Sequence, residues 1–177
     1  MVNVLATAER KPFTTFEEAT AYLDETVRVS GVKHLSYWNL QFTDGMPEQV
    51  IWVATYDPNY MNEYMKNFTP LGDPVMTDLR DGRIVDWNEW AAVDEALQSI
   101  HAAADRYDIP KFGISMHLPA QGNDKIVFSV CMDAQADKWP DMRGTLVNRF
   151  KPFAYDFHAR MTPMIMARQK GDGVYAF

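Results

Sequence analysis

The chain has 177 residues, of which 47% are hydrophobic and 23% charged, and its formal net charge is −7. This length fits one domain with a sizeable core and is short for two, so we predict a single domain over residues 1–177. The negative charge argues against direct nucleic-acid binding, and the lack of a long apolar run or signal-peptide core predicts a cytoplasmic protein without membrane contact.

The chain begins with a predicted helix and a predicted β-hairpin. Thr15 is a typical N-cap and Gly31 ends an apolar period of helical spacing, which predicts a helix near residues 15–30. Two runs rich in aromatic and β-branched residues follow, at 34–42 and 49–55, with an Asp-Gly pair between them. This pattern is typical of two antiparallel strands joined by a tight turn.

A stripe of three tyrosines marks the next helix, which we predict over residues 56–67. Tyr56, Tyr60 and Tyr64 recur every four residues, and on an α-helix this spacing places side chains on one face about 80° wide. An Asp-Pro pair at the start is typical of a capping residue followed by proline at the first helical position. The three phenols should therefore line one surface.

The segment after this stripe is rich in Gly, Pro and Asp. Asp73 directly precedes a proline, which disfavours helical backbone at Asp73 and should project its carboxylate from a loop. A short strand is predicted over 83–87, ending at Trp87. Taken separately, these aromatic residues could be core packing and the Asp-Pro pair a turn.

The rest of the chain contains a helix, a hairpin and a long amphipathic stretch. An Ala-rich apolar period predicts a helix from 90 to 107, which includes Val93 in its apolar stripe, and two apolar runs at 112–118 and 125–132 predict a second hairpin. The lone Cys131 lies in its second strand and excludes an internal disulfide. The last amphipathic helix should span about 137–168, where prolines must start, kink or end it.

Helices before, between and after two hairpins predict an α+β fold in which helices cover an antiparallel sheet. Phe150, Phe153, Phe157 and Met161 recur at mostly three- or four-residue spacing in the final stretch. This is more apolar surface than one small sheet obviously needs, so we predict a homodimer formed through helices.

The order of the aromatic and acidic residues resembles the autoinducer-binding domain of LuxR-type quorum-sensing transcriptional regulators. The family pattern is Tyr-x3-Trp-x3-Tyr-x8-Asp-Pro, with a Trp about fourteen residues later. Here the same order is Tyr56, Tyr60, Tyr64, Asp73-Pro74 and Trp87. The chain departs from the pattern at Tyr60, where the family has tryptophan.

The resemblance extends over nearly the whole chain. The glycine that the family has before an apolar strand matches Gly113, and the serine in its next strand matches Ser129. The resemblance implies an α-β-α sandwich with a five-stranded antiparallel sheet and a ligand between the sheet and helices. It implies a sensor of an N-acyl homoserine lactone or related acyl signal, not an enzyme.

The resemblance also implies roles for individual residues. Tyr56 would donate to the ligand amide carbonyl, which Ser129 assists, and Asp73 would accept the amide N–H. Trp87 would pack on the lactone ring, and Tyr64 would flank the acyl chain. Tyr60 would take the place of an indole N–H that donates to the lactone carbonyl.

Strand alternation adds four residues to this predicted site. Ser36 and Trp38 share one strand face, as do Val50 and Trp52. We place both pairs toward the ligand, where the two tryptophans would shorten the cavity.

No pattern of reactive residues supports catalysis. The HxxxH, HExxH, CxxC, GxSxG and GxGxxG motifs are absent, so we predict no metal, no cofactor and no enzymatic activity. His101 and His158 are expected on solvated helix faces, and His117 is a weak functional candidate in a strand.

Full family members carry a C-terminal helix-turn-helix, and we find no such segment before Phe177. DNA contact would then come through a domain missing from this chain. The chain is either the excised sensor of a transcription factor, as Gly171 and Gly173 near its end favour, or a stand-alone form that sequesters a partner. The alternative from another class is a ligand-free dimerisation or interaction module of the same fold, in which the tyrosine stripe is part of the core. A third interpretation is an enzyme that acts on acyl-lactones or thioesters.

Overall fold

A computed structural model describes residues 11–77, 82–92 and 94–169 of the chain. The predictions for Val93, Gly171 and Gly173 lie outside these residues. The helices are α1 (Phe16–Ser30), α2 (Pro58–Asn67), α3 (Thr69–Gly72), α4 (Pro74–Thr77), α5 (Trp87–Ala91), α6 (Glu95–Ala104) and α7 (Trp139–Gln169). The strands are β1 (His34–Thr43), β2 (Met46–Ala54), β3 (Ile84–Asp86), β4 (Gly113–Leu118) and β5 (Lys125–Cys131).

The strands form one antiparallel sheet in the order β2-β1-β5-β4-β3. The two hairpins therefore meet at the centre, where β1 pairs with β5. In this register Ser36 is opposite Ser129, and Ser129 is opposite Ser115. Helices cover both faces of the sheet, so the predicted α+β sandwich is confirmed.

Local sequence signals explain the first elements. The Thr15 side chain accepts the backbone N–H of Glu18 at 3.1 Å, and Gly31 ends α1 with a left-handed φ of 78°. Asp44 and Gly45 both have positive φ, at 52° and 78°. Two such residues give the turn whose twist matches that of the adjoining strands, so the predicted hairpin forms between β1 and β2.

Each sheet face has its own core. On one face, Tyr37 and Phe128 of the sheet pack with Phe157 of α7, and all three are completely buried. On the other face, Trp38 and its strand neighbours pack with Tyr64 of α2 and with α6. Strand alternation separates the two sets, because successive side chains point to opposite faces.

The C-terminal aromatic residues do not provide a free surface. Phe150, Phe153, Phe157 and Met161 are all buried in the core between the sheet and α7. Their spacing is that of a core-facing helix stripe. The reasoning that assigned them to a dimer interface was therefore wrong, and the homodimer stays a prediction.

The helix predicted over 90–107 is split in two. Asp94 accepts the backbone N–H of Leu97 at 2.9 Å and caps a new helix, α6, while a 3₁₀ turn, Asp105–Tyr107, follows it. In contrast, α7 is one helix with Pro152 and Pro163 inside it. Within the described part of the chain, no helix is long and apolar enough to cross a membrane.

Candidate ligand-binding site

A cavity of about 50 Å³ lies between the sheet and the layer formed by α2, α4, α5 and α6. Its wall combines aromatic and aliphatic side chains with a small set of polar groups. The described residues that line it are Ser36, Trp38, Tyr56, Tyr60, Met61, Tyr64, Asp73, Val75, Met76, Trp87, Leu97, Ile100, His101, Ala104, Ile109, Pro110, Ser115 and Ser129. Apolar walls with few polar groups are typical of small-molecule sites.

Eight of the ten predicted contact residues line this cavity, and the two exceptions are Val50 and Trp52. Both side chains are on the predicted face, because Trp52 is opposite Trp38 and Val50 is opposite Leu40. However, β2 is the edge strand, and the Trp52 ring packs on Trp38 with centroids 6.0 Å apart. Trp38 therefore lies between Trp52 and the cavity, and neither Val50 nor Trp52 is part of the cavity wall.

A row of three serines forms the polar part of the sheet surface under the cavity. Ser36, Ser129 and Ser115 are direct neighbours on β1, β5 and β4. The hydroxyl oxygens of Ser115 and Ser129 are 2.7 Å apart, and all three residues are buried. The indole N–H of Trp87 donates to Ser115 at 2.8 Å, and that of Trp38 donates to Ser36 at 3.3 Å. Both indole donors that line the cavity are thus already engaged.

Asp73 provides a buried carboxylate between α3 and α4. Its backbone is extended, with φ −88° and ψ 116°, as the following proline predicts. One carboxylate oxygen accepts the Tyr64 hydroxyl at 2.7 Å, and the other accepts the Val75 backbone N–H at 2.8 Å. Burial raises the pKa of Asp73 from 3.8 to about 6, although both hydrogen bonds act in the opposite direction.

The three tyrosines of the stripe line the side of the cavity that faces the sheet. Tyr60 and Tyr64 lie on α2, whereas Tyr56 precedes the helix, because Asp57 is the N-cap and accepts the Asn59 N–H at 2.7 Å. Tyr56 still contacts Tyr60, with ring centroids 5.5 Å apart.

Burial raises the pKa of all three phenols above its ordinary value. They are therefore neutral hydrogen-bonding groups at pH 7. Within the described residues, the Tyr60 hydroxyl makes no hydrogen bond, unlike that of Tyr64.

Two histidines differ from the prediction of solvated helix faces. His101 is half-buried in the cavity wall, with its ring centroid 6.3 Å from that of Trp87. His158 is half-buried on the other sheet face, where its ring nitrogen is 2.9 Å from the Tyr37 hydroxyl. Burial lowers the pKa of both imidazoles. Ser115 and His101 are the polar wall residues that the sequence analysis missed.

Gly113 fixes how closely Trp87 approaches the sheet. A Cβ atom at Gly113 would lie 2.4 Å from the six-membered part of the Trp87 ring. Such a separation is far below van der Waals contact, so only glycine lets the indole approach β4 this closely. The position of Trp87 in the wall thus depends on both Gly113 and Ser115.

The wall groups suit binding rather than reaction. The described lining contains one carboxylate, neutral phenols, an imidazole with a lowered pKa and three serine hydroxyls. Most of these groups already donate to or accept from one another. They present hydrogen bonds to a polar group of a ligand, while the apolar wall surrounds the rest of it.

Comparison with known proteins shows one clear match to a protein family. The family described as the autoinducer binding domain matches residues 15–161. No curated protein sequence matches the chain significantly.

Several solved structures share the fold at low sequence identity. The structure of CepR2 from Burkholderia cenocepacia, described as an N-acylhomoserine lactone dependent LuxR family factor, has a TM-score of 0.65 and 16% identity, covering 86% of this chain and 88% of its own. Escherichia coli SdiA has a TM-score of 0.56 and 17% identity, covering 85% of this chain and 63% of its own. SdiA in complex with octanoyl-rac-glycerol has a TM-score of 0.51 and 18% identity, covering 77% of this chain and 58% of its own.

Proposed function

Because this chain belongs to the family of autoinducer-binding domains of LuxR-type regulators, we propose that it senses an N-acyl homoserine lactone or a related acyl signal. Domains of this family are ligand-sensing regulatory domains and not enzymes. The observation that carries the proposal is the cavity, which has eight of the predicted contact residues in its wall. A homodimer that binds DNA through a separate helix-turn-helix domain is part of the same proposal.

The wall offers one carboxylate and several hydroxyls for the polar part of such a ligand. We propose that Asp73 accepts the amide N–H, while Tyr56 and Ser129 donate to the amide carbonyl. Trp87 would contribute the face of its ring, because its N–H is engaged by Ser115 at 2.8 Å. Tyr64 would orient Asp73 through their 2.7 Å hydrogen bond and flank the acyl chain.

Binding requires the cavity to expand. A volume of about 50 Å³ is close to that of one or two water molecules, whereas small-molecule sites typically measure about 300–1,000 Å³. Met61 and Met76 line the wall, and methionine side chains change shape at low cost. We therefore expect an acyl chain to displace side chains of the α2 and α4 layer. Burying eight methylenes at about 0.8 kcal/mol each would contribute roughly 6 kcal/mol to such binding.

Tyr60 bears on the head group of the ligand. Tyr60 takes the place of a tryptophan in the family pattern, and a phenol places its donor at a different point from an indole. We propose that the protein binds ordinary lactones weakly or prefers another head group. Two of the similar structures differ in this part of the ligand: CepR2 is described as N-acylhomoserine lactone dependent, and SdiA is in complex with octanoyl-rac-glycerol.

The test is thermal unfolding with N-acyl homoserine lactones of several chain lengths and with 1-octanoyl-glycerol. A ligand at a hundredfold excess over its dissociation constant adds about 2.7 kcal/mol, which is about 5–11 °C in Tm for a domain of this size. Trp87→Phe should reduce the shift, and Trp52→Phe, outside the cavity wall, is the matched control. Native mass spectrometry would identify an acyl compound that copurifies.

The small cavity favours one alternative, a ligand-free interaction module of the same fold. In that case the tyrosine stripe is core, and the 50 Å³ volume is a packing defect. No Tm shift with any probe and no copurifying compound would support this alternative against a sensor.

A further inference from the structure

The edge of the sheet joins the cavity wall to α7 through two consecutive residues. Asp86 is the last residue of β3 and lies opposite Ile114, which belongs to the core under α7. Trp87 follows immediately and lines the cavity on the other face. Asp86 and Trp87 are therefore consecutive backbone positions whose side chains lie on opposite faces of the sheet.

Asp86 is only 5% exposed, and its carboxylate accepts three hydrogen bonds. One carboxylate oxygen accepts the backbone N–H of Asn88 at 2.9 Å and caps α5. The other accepts the indole N–H of Trp139 at 2.9 Å and the guanidinium of Arg143, also at 2.9 Å. Trp139 and Arg143 lie in the first turns of α7. A buried carboxylate with a cationic partner and two further donors keeps a defined position.

We propose that Asp86 is a positioning residue that couples the cavity to the start of α7. It would hold Trp87 against the sheet and transmit a displacement of that indole to Trp139 and Arg143. A ligand that moves the Trp87 ring would then change how the start of α7 packs on the opposite face of the sheet. The ligand-dependent part of this inference rests on the proposed function, whereas the coupling itself does not.

A second route across the sheet has to be distinguished from this one. The Trp87 ring presses on Gly113, and the neighbouring Phe112 ring is 5.4 Å from that of Trp139. Displacement could pass through β4 without Asp86. Replacing Asp86 separates the two routes, because it leaves the Gly113 contact in place.

The experiment is fluorine NMR of the full chain labelled with 5-fluorotryptophan, which gives five resonances for the five tryptophans. In the absence of ligand, Trp87→Phe should shift the Trp139 resonance by more than its linewidth. Trp52→Phe, also on the cavity face but outside the wall, should leave it in place. In an Asp86→Asn background, the effect of Trp87→Phe on Trp139 should fall at least twofold.

If Asp86→Asn fails to fold, Arg143→Leu replaces it, since this change removes the ion pair and leaves the Trp139 bond. Glu89→Gln is its control, because Glu89 contacts Arg143 from the exposed side. Coupling should decrease with Arg143→Leu and persist with Glu89→Gln. Full coupling in Asp86→Asn, or in Arg143→Leu where that variant is used, would overturn the proposal and favour the route through Phe112.

Addition of N-octanoyl homoserine lactone or 1-octanoyl-glycerol completes the test. With the native chain, both the Trp87 and Trp139 resonances should shift, and the Trp139 shift should shrink in Asp86→Asn. A shift of Trp87 alone would overturn the coupling and leave binding intact. If no tryptophan responds to either probe, the proposed function fails for these ligands, while the ligand-free comparison still decides the role of Asp86.

Discussion

The buried carboxylate of Asp73 makes the stability of the ligand-free protein depend on pH in a defined direction. Its pKa is raised from 3.8 to about 6 because it is removed from water. The folded state therefore binds a proton more tightly than the unfolded state. This contribution to the free energy of unfolding is highest below about pH 4, falls as pH rises, and is fully lost above about pH 6.

The magnitude follows from the shift of about two pKa units. Each unit corresponds to about 1.4 kcal/mol, so ionised Asp73 should destabilise the folded state by about 3 kcal/mol at pH 7–8. Asp73→Asn removes this titration. Its amide oxygen can accept the Val75 N–H, and its amide nitrogen can donate to the Tyr64 oxygen. We therefore expect Asp73→Asn to stabilise the ligand-free protein relative to the native chain at pH 8 and to lose this advantage at pH 4.

The assay is urea unfolding of both proteins between pH 4 and pH 8. The difference between the two proteins isolates Asp73, since the half-buried histidines, whose lowered pKa values act in the opposite direction, titrate in both. A difference that does not change with pH, or one that favours the native chain as pH rises, would refute the reasoning. With an amide-containing ligand, Asp73→Asn should instead weaken binding by about 1.5–3 kcal/mol, because it removes a charge-assisted hydrogen bond.

Four further substitutions test separate parts of the structure. Gly113→Ala should destabilise the fold by about 1–3 kcal/mol in urea titrations, because the added Cβ would overlap Trp87. Gly144→Ala in α7 is the control. Outside the backbone of its own helix, no described atom lies within 4 Å of that Cβ, so this change should stabilise the fold by about 0.5–1 kcal/mol. Tyr60→Trp should tighten binding of an N-acyl homoserine lactone about ten- to a hundredfold by calorimetry, and weaker binding would show that the phenol already makes the contact. Phe157→Ala should lower the free energy of unfolding by about 3–5 kcal/mol. A small effect would show that Phe157 is not a core residue.

Local signals were sufficient where a short segment determines its own structure. Thr15 and Gly31 marked the ends of α1, and the Asp44-Gly45 pair marked the first hairpin. The prediction over 90–107 was wrong because the Ala-rich apolar period obscured Asp94, which starts a separate helix by accepting the Leu97 N–H.

The cavity was predicted through the order of aromatic and acidic residues, but its sheet surface depends on strand pairing. Alternation places Val50 and Trp52 on the correct face. It does not reveal that β2 is the edge strand, where Trp38 separates Trp52 from the cavity. Ser115 was missed for the same reason, since its position beside Ser129 is set by the register between β4 and β5. The burial of His101 likewise follows from how α6 packs, which a single helix pattern does not show.

The central pairing of β1 with β5 has a kinetic consequence. These strands, from His34 opposite Cys131 to Leu40 opposite Lys125, are separated by on the order of ninety residues, and such non-local pairing is slow compared with helix or hairpin formation. The segment between the two hairpins carries most of the cavity wall, and its helices pack on the sheet face that the two hairpins form together. We expect this layer to form after the folding transition state. Substitutions there would then accelerate unfolding and leave the folding rate nearly unchanged. A molecule bound in the cavity would accordingly stabilise this protein mainly by prolonging the lifetime of the folded state.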